Sequence, residues 1–596
     1  MADDKTSLGL RLFKRADKLR EKRSSVMDPQ WQQISQYFWP DVSDINTEKT
    51  ESTENWFDRI YDTAPVRAGQ TCSVGVRNWV TPSTEPWLDL SPPYNQTKQA
   101  AKSQNPRLER ISKPASDPVD DQGQDDATRW TADAGSQILN WLSESNFYSV
   151  VQTYNRSACT FGTGLMFMEE GKAATYNFEQ FKIGTYVISE NEEKVVDTVF
   201  RWFKLTVRQA EQRFGEEELP PKMKKALKSQ KYDEEYKFIH CVYPNADMRK
   251  GSVGDEGMAF KSVYLAEDEK KIVMEGGYEE MPYFCLRWSR WGSENYVWGC
   301  SPGFEVLAEA RQINYVTQYN DALVELKAFP RVFVPDSVDG NVEMASGAVT
   351  ILKADDMARG VEPKEWLTGG DTQEIALMLE RKEKAINSAF FVDIFKALGQ
   401  LEDKITQSTY GAIALLQGEK LDQFTGTFDQ YRTELINPLV RRAIGIAYRN
   451  GLLKDPPQSL MVKGNDPKAE PELASPKITI KSRVTLALSQ AKIVGTEKTL
   501  QMLAPLMEQR PEIGDNFNWN QLSRNVGRGN GMAENDFLPL KTVLEKQEQR
   551  VKMQKQEMAL KAAEIAAKSA GAMGKAPPQF QQKAGDMLDS AAQPAA

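Results

Sequence analysis

The 596-residue chain is 40% hydrophobic, 27% charged and 10% aromatic, a composition that excludes a largely disordered protein and predicts about four domain-sized units. Its 75 basic and 84 acidic side chains leave a net charge of -9, which argues against one broad basic face gripping nucleic acid but not against a surface that nucleic acid slides past. The single histidine, His240, rules out a multi-histidine metal site within one chain, and any Ser-His-Asp or Cys-His arrangement would have to use it.

In chain order, the first predicted helical stretch ends on Trp31–Trp39, with Trp31, Ile34, Tyr37 and Phe38 at helical spacing and Pro40 as the stop. The amino terminus lacks an apolar core of signal-peptide length, and no apolar run reaches the roughly 18 residues of a membrane span, so the chain reads as soluble and intracellular. Tyr61–Ala64 opens a second helix that closes near Trp79. Residues 91–127 read as a long polar loop, and helix resumes from Thr128 to about Cys159 with Trp130, Ile138, Leu142 and Phe147 as buried positions.

From Gly162 to about Arg290 the period changes to two. Strands are predicted at Leu165–Met168, Tyr186–Ser189, Val195–Trp202 and Ser262–Leu265, with Glu192 and Glu193 in a hairpin turn. A helical insert at 206–229 is split by Pro220-Pro221, and Thr206 with Gln209 forms a capping-box pattern. A long helix follows Gly303, with Leu307, Ala310, Ile313, Val316, Asn320, Leu323 and Leu326 on one face over about 40 Å. Residues 331–369 read as short strands and turns, among them Arg331–Pro335 and Gly347–Leu352. A helix from Asp371 to about Val392 and another from about Thr406 to Arg449 flank a loop at 393–405. A polar linker at 454–476, a strand at Ile478–Val484, helices over 486–511, a charged helix over 541–570 and a low-complexity tail complete the chain.

No segment carries the pattern of an active site. Gly254–Ser262 approaches a phosphate loop, but Phe260 stands where a glycine is required, and Lys261-Ser262 fits a strand start better. Phe161-Gly162-Thr163-Gly164 reads as a bend. His240 reads as a hydrogen-bonded strand histidine, with no nucleophile indicated nearby. Glu216–Glu218 and Glu402-Asp403 read as solvated charge, and Trp31, Trp39, Trp56, Trp79 and Trp87 as packing anchors. Cys72, Cys159, Cys241, Cys285 and Cys300 are odd in number, widely spaced and without C-x-x-C, which fits a reducing compartment better than a disulfide or zinc framework.

The order of the parts resembles the portal proteins, or head-to-tail connectors, of short-tailed bacteriophages. The resemblance is carried by Trp31…Tyr37…Pro40, Tyr61–Ala64, Thr81-Pro82…Trp87, Phe161–Gly164, Tyr278…Pro282-Tyr283…Arg287-Trp288, Tyr296–Gly303 leading to Ile313-Asn314, Ile405-Thr406-Gln407…Glu434–Leu439 and Thr485–Lys492. Each piece is weakly specific, and their colinearity over roughly 450 residues makes the case. The chain has Val297–Cys300 where family members often carry Tyr-Gly, and Ile405–Thr409 where Thr-Ala-x-Glu is common.

The resemblance implies an α+β, mainly helical portal fold with wing, stem, clip and crown, assembled as a dodecameric ring. Residues 1–302 would be the wing, 303–329 and 371–392 the stem helices, and 330–370 the clip. Residues 393–405 would be the channel loop, 406–485 a wing helix and linker, 486–570 the crown, and 571–596 a disordered tail. It implies Lys396, Gly399 and Lys404 facing viral double-stranded DNA, and Arg331, Val334, Lys353 and Trp366 docking partners on the clip. Partners would be the terminase large subunit, the major capsid and scaffold proteins, and the tail adaptor and internal core proteins. No membrane, cofactor, metal or catalytic residue is implied. The place is the virion's portal vertex, with the host cytoplasm during assembly. The alternatives are a scaffold or virion adaptor without a channel, and an enzyme such as a metal-dependent nuclease.

Overall fold

The chain is described in a computed structural model over residues 2–45, 59–92, 121–171, 174–248, 257–292, 296–328, 372–401, 426–462, 475–480, 516–529 and 540–573, with shorter pieces between them. Helices precede and follow a β-rich middle, the α+β order that the change of period predicts. The first helical stretch is two helices, α1 (Ala2–Val26) and α2 (Asp28–Phe38). Pro29 lies in the first turn of α2, where the missing amide is tolerated, so it restarts the helix instead of extending it. Arg23 closes the corner by pairing with Asp28 at 3.0 Å and donating to the Tyr186 carbonyl at 2.7 Å. Trp31, Ile34 and Phe38 are buried as their spacing requires, and Tyr37 is half-buried.

Helix α3 (Ala64–Val80) and strand β1 (Leu88–Ser91) follow. The helix predicted from Thr128 to Cys159 is in fact α4 (Asp121–Glu144) and α5 (Phe147–Phe161), and α4 begins inside the predicted loop. Asn146 causes the break. Its carboxamide accepts from the Phe178 amide at 2.9 Å and donates to the Phe178 carbonyl at 2.8 Å, acting as a peptide-like partner for a strand.

That strand is β3 (Tyr176–Phe181), which pairs with β2 (Thr163–Glu170). Next come β4 (Tyr186–Glu190) and β5 (Val196–Thr206), then α6 (Val207–Phe214) and α7 (Pro221–Lys228). The capping box of Thr206 with Gln209 is formed as predicted. Strands β6 (Glu235–Pro244), β7 (Phe260–Ala266), β8 (Lys271–Tyr278), β9 (Tyr283–Arg287), β10 (Ser289–Arg290) and β11 (Gly299–Cys300) complete the middle.

An antiparallel sheet runs β4-β5-β6-β7-β8, and a second runs β3-β2-β9. The larger sheet is covered on both faces, which is why β6 is apolar almost without interruption. Ile239, Cys241, Val263 and Leu265 meet Leu12 and Ala16 of α1, while Phe238, Tyr264 and Ala266 meet Ala210, Phe214 and Met223 of α6 and α7. Full burial of each Leu, Ile, Val, Phe or Met side chain among them contributes about 1.5–3 kcal/mol.

A single turn, Pro302–Glu305, leads into α8 (Leu307–Ala328). Of its predicted apolar stripe, Ala310 and Ile313 are buried, but Val316, Asn320 and Leu323 are only half-covered. In the region read as short strands, β12 (Val332–Phe333) pairs with β13 (Lys364–Glu365); Gly347–Leu352 lies outside the described residues.

Helix α9 (Thr372–Ala389) stops short of the predicted Val392, and α10 (Val392–Leu401) occupies most of the predicted loop. The loop reading of 393–405 is therefore corrected over its first nine residues. Phe391 turns the corner in the left-handed region at φ 57. Val392 and Ile394 then bury, and the Phe395 ring sits where a Cβ on Gly75 of α3 would be 2.3 Å away. Apolar docking on α3 makes this segment a helix.

Residues 426–431 are helical and pass through a π turn, Arg432–Ile436, into α11 (Asn437–Arg449). The linker contains a ladder of β14 (Met461–Val462) with β15 (Glu472–Leu473), and β16 (Lys477–Ile480) returns to pair with β1. Helix α12 (Trp519–Gly529) was not anticipated, whereas α13 (Leu540–Met573) spans the charged helix as read. No helix of the described residues is long and apolar enough to cross a membrane.

Candidate functional site

Four of the colinear sequence pieces, around Trp31, Tyr61–Ala64, Phe161–Gly164 and Tyr296–Gly303 with Asn314, meet at the root of α8, while Ile405–Gln407 and Thr485–Lys492 lie outside the described residues. Gly162 ends α5 at φ 83, and a Cβ there would lie 2.1 Å from the Gly299 carbonyl. A Cβ on Gly299 would in turn lie 2.0 Å from the Gly162 carbonyl, so only two glycines allow this backbone crossing. Ser301 Oγ donates to the Thr160 carbonyl at 2.8 Å, and the Gly299 amide donates to Thr163 Oγ1 at 3.0 Å. Trp31 Nε1 donates to the Phe161 carbonyl at 3.0 Å while its ring meets Trp298 edge-on at 4.8 Å. The Tyr61–Ala64 piece is tied to α8 by Asn314, whose Oδ1 accepts from the Tyr61 amide at 2.7 Å and whose Nδ2 donates to the Arg59 carbonyl at 3.2 Å. Beside it opens a cleft of about 530 Å³ lined by Tyr37, Arg59, Tyr61, Arg311, Asn314 and Tyr315.

A buried ion cluster locks the root to the helix that ends in α11. Arg287 of β9 donates from Nε to Glu434 Oε1 at 2.8 Å and from Nη1 to Glu190 Oε1 at 2.7 Å, and its backbone amide donates to Glu434 Oε2 at 2.7 Å. Arg287 Nη2 also reaches the carbonyl of Lys194, at 2.9 Å, a residue held at φ 62 in the β4–β5 turn. Burial works against the guanidinium charge, but the bond to Glu434 and the charges of Glu434 and Glu190 outweigh it, and the Arg287 pKa is raised above its usual value.

The π turn explains how Glu434 gets there. Pro438 has no amide to give the Glu434 carbonyl, and its ring would clash with it in an α-helix. The turn widens, the Asn437 amide bonds to Arg432 O instead, and the Glu434 side chain faces β9. Tyr176 Oη and Arg442 Nε add bonds to the Ala443 and Met168 carbonyls at 2.9 and 3.1 Å.

Away from the root, α8 packs along α9 and its surface changes character. Tyr315 and Tyr319 meet at 4.4 Å with their rings tilted by 50°, yet are 60% and 57% exposed, and Val324, Leu377 and Met378 are also exposed. Of the predicted site residues, Lys396 is exposed on α10 and Gly399 lies within that helix. Lys404, Arg331, Val334, Lys353 and Trp366 lie outside the described residues.

His240 and Lys261-Ser262 are structural, while Trp56 and Glu402-Asp403 lie outside the described residues. His240 is sealed in β6 between Tyr283 Oη at 2.6 Å and Ser262 Oγ at 2.9 Å, stacked on Tyr264 at 4.1 Å. A hydroxyl does neighbour it, contrary to the sequence reading, but His240 and Ser262 are only 1% and 4% exposed. Burial, then the Arg213 and Arg201 charges, hold the imidazole well below its usual pKa. Lys261-Ser262 belongs to strand β7, as expected. Among the described residues no three His, Cys, Asp or Glu side chains gather as metal ligands.

Comparison with known proteins adds a family. A model described as bacteriophage head to tail connecting protein matches residues 11–538. Over 569 residues the chain is 24% identical to the portal protein of Salmonella phage epsilon15, covering 94% of each chain. Over 452 residues it is 22% identical to the probable portal protein of Bordetella phage BPP-1, covering 75% of this chain and 76% of that one.

Proposed function

This chain belongs to the bacteriophage head to tail connecting protein family, and from that membership we propose that it is a portal: copies close into a ring at one capsid vertex, through which double-stranded viral DNA is packaged and later ejected. The observation that carries the reading is a match running through nearly the whole chain, with relatives named as portal proteins along it. The family role is structural, and catalysis of packaging would belong to a separate motor, the terminase large subunit.

The ring has twelve copies in this reading. Residues 1–302 form the wing, α8 and α9 the stem, 330–370 the clip, and 486–570 the crown. The exposed Tyr315, Tyr319, Val324, Leu377 and Met378 support the stem assignment, because apolar side chains left bare on a monomer are covered when copies meet. A ring multiplied from a subunit of charge -9 repels phosphates and lets the duplex slide. Lys396, presented by α10, and Lys404 give the lumen its brief phosphate contacts. The clip, with Arg331, Val334, Lys353 and Trp366, docks the motor and then the tail adaptor. Capsid, scaffold and internal core proteins contact the remaining surface, in the virion and during assembly in the host cytoplasm.

Electron microscopy of the purified protein tests the reading: rings with a hole wide enough for duplex DNA are expected, whereas filaments or compact monomers would favour a scaffold without a channel. Replacing Lys396 and Lys404 by Glu should leave rings intact and shorten retained DNA, more so at low salt. Deleting 330–370 behind a short turn should leave rings that no longer bind motor or adaptor.

A further inference from the structure

Helix α1 contains eight basic and four acidic residues, hence +4 on a chain of -9. Its buried face is fixed against the five-stranded sheet. Leu12 and Ala16 pack on Val187, Phe200, Ile239 and Leu265, and Gly9 comes so close to the β7–β8 turn that a Cβ would lie 2.8 Å from the Lys270 carbonyl. Arg20 and Arg23 are engaged with Glu267 and Asp28, and the Arg15 guanidinium lies 5.6 Å from the Phe200 ring centre.

The opposite face carries Arg11, Lys14, Lys18 and Lys22, all exposed. Their spacing of three, four and four residues puts them on one stripe about 16 Å long. Among the described residues no ion pair joins any of the four to a carboxylate.

We propose that this stripe is a docking surface for the phosphate backbone of double-stranded DNA outside the channel. A protein partner is the poorer fit, because protein interfaces are built on aromatic and apolar anchors with lysine depleted, and the stripe's only sizeable exposed apolar neighbour on α1, short of its last residue, Val26, is Leu10. A polyanion needs no anchor: about 16 Å of duplex presents on the order of ten phosphate charges. The helix beneath is held on both flanks, so the cations are arranged before DNA arrives. The inference goes beyond the channel, since α1 lies on the sheet and not on the α8–α9 pair, and it takes from the portal reading only the reason that DNA is close by.

The test uses the full-length purified chain and a short DNA duplex, with affinity measured between about 50 and 200 mM salt. The parent's log affinity should fall linearly with log salt. Replacing Arg11, Lys14, Lys18 and Lys22 by Gln should make that slope shallower by about 3–4 and cut affinity at least about tenfold at low salt. The pair Lys14→Gln and Lys18→Gln should lose about half as much slope. Because these side chains are exposed, the unfolding midpoint should stay that of the parent. Replacing Lys222, Lys225 and Lys228 of α7, on the other side of the sheet, should leave the slope alone. An unchanged slope in the four-site variant, or an equal loss in the α7 variant, overturns the proposal. So does a four-site variant that binds DNA normally but no longer assembles, which would make the stripe a contact between copies. None of these outcomes bears on whether the protein forms a channel.

Discussion

The root of α8 and the body of the α8–α9 pair are built from opposite materials. At the root, backbones cross at Gly162 and Gly299, and one arginine satisfies two carboxylates and two further carbonyls out of solvent. Along the pair, tyrosines and aliphatic side chains stand in water, and the ion pair Lys384–Glu380 is an exposed i,i+4 contact screened by solvent and salt. The root closes its contacts within one chain, whereas the pair leaves apolar side chains uncovered. In the proposed portal reading, the first supplies stability and the second supplies assembly.

The largest expected effect is at the ion cluster. Arg287→Ala leaves Glu190 buried without its cation and Glu434 with only the longer 3.4 Å contact to Arg290, and should remove about 3–5 kcal/mol of stability, read by denaturant unfolding; a loss below about 1 kcal/mol would mean the root is not locked as described. Next is Gly162→Ala, which combines a left-handed backbone with an overlap on the Gly299 carbonyl and should cost about 2–5 kcal/mol in the same measurement.

A smaller, pH-dependent effect comes from His240. Its folded pKa lies well below the 6.5 of an unperturbed imidazole, so in that interval the unfolded chain binds a proton that the folded chain refuses. Its contribution is present above about pH 6.5 and is lost as pH falls, with a slope of up to about 1.4 kcal/mol per unit. His240→Gln should flatten the stability–pH curve there, and identical curves would remove His240 from the account. Smallest on the monomer is Tyr315→Ser with Leu377→Ser, which should shift unfolding by no more than about 0.5 kcal/mol each and yet reduce ring formation seen by electron microscopy. A large monomer defect with normal rings would invert the comparison.

Much of this was legible in local patterns. Period two placed β2, β4, β5 and β7 but not β3, β8 or β9, Thr206 and Gln209 announced their cap, and Pro220-Pro221 separated α6 from α7. What was missed lay in long-range partners. Asn146 breaks a helix because a strand more than thirty positions on accepts its carboxamide. Gly399 and the nearby charges suggested a loop, but Val392, Ile394 and Phe395 had an apolar surface waiting on α3. The ion cluster gave no local sign, since Arg287 and Glu434 are 147 residues apart; the one available hint was Pro438 inside an otherwise helical run. The clip was read from the resemblance together with short strands set between two helices, and Lys404 from the mixed charge of its loop.

Strand β1 has a consequence in time. Its partner β16 is met across 386 residues, as between Ser91 and Lys477. At about 5–20 residues per second of synthesis, β1 leaves the ribosome about 20–80 s before the strand that completes it exists. During that interval its edge would be open to any other nascent chain. Helix α4 packs on β1, with Gly135 bringing its backbone against Leu90, and is made within the first quarter of the chain. Its packing lets β1 bury side chains long before the partner of its open edge is made.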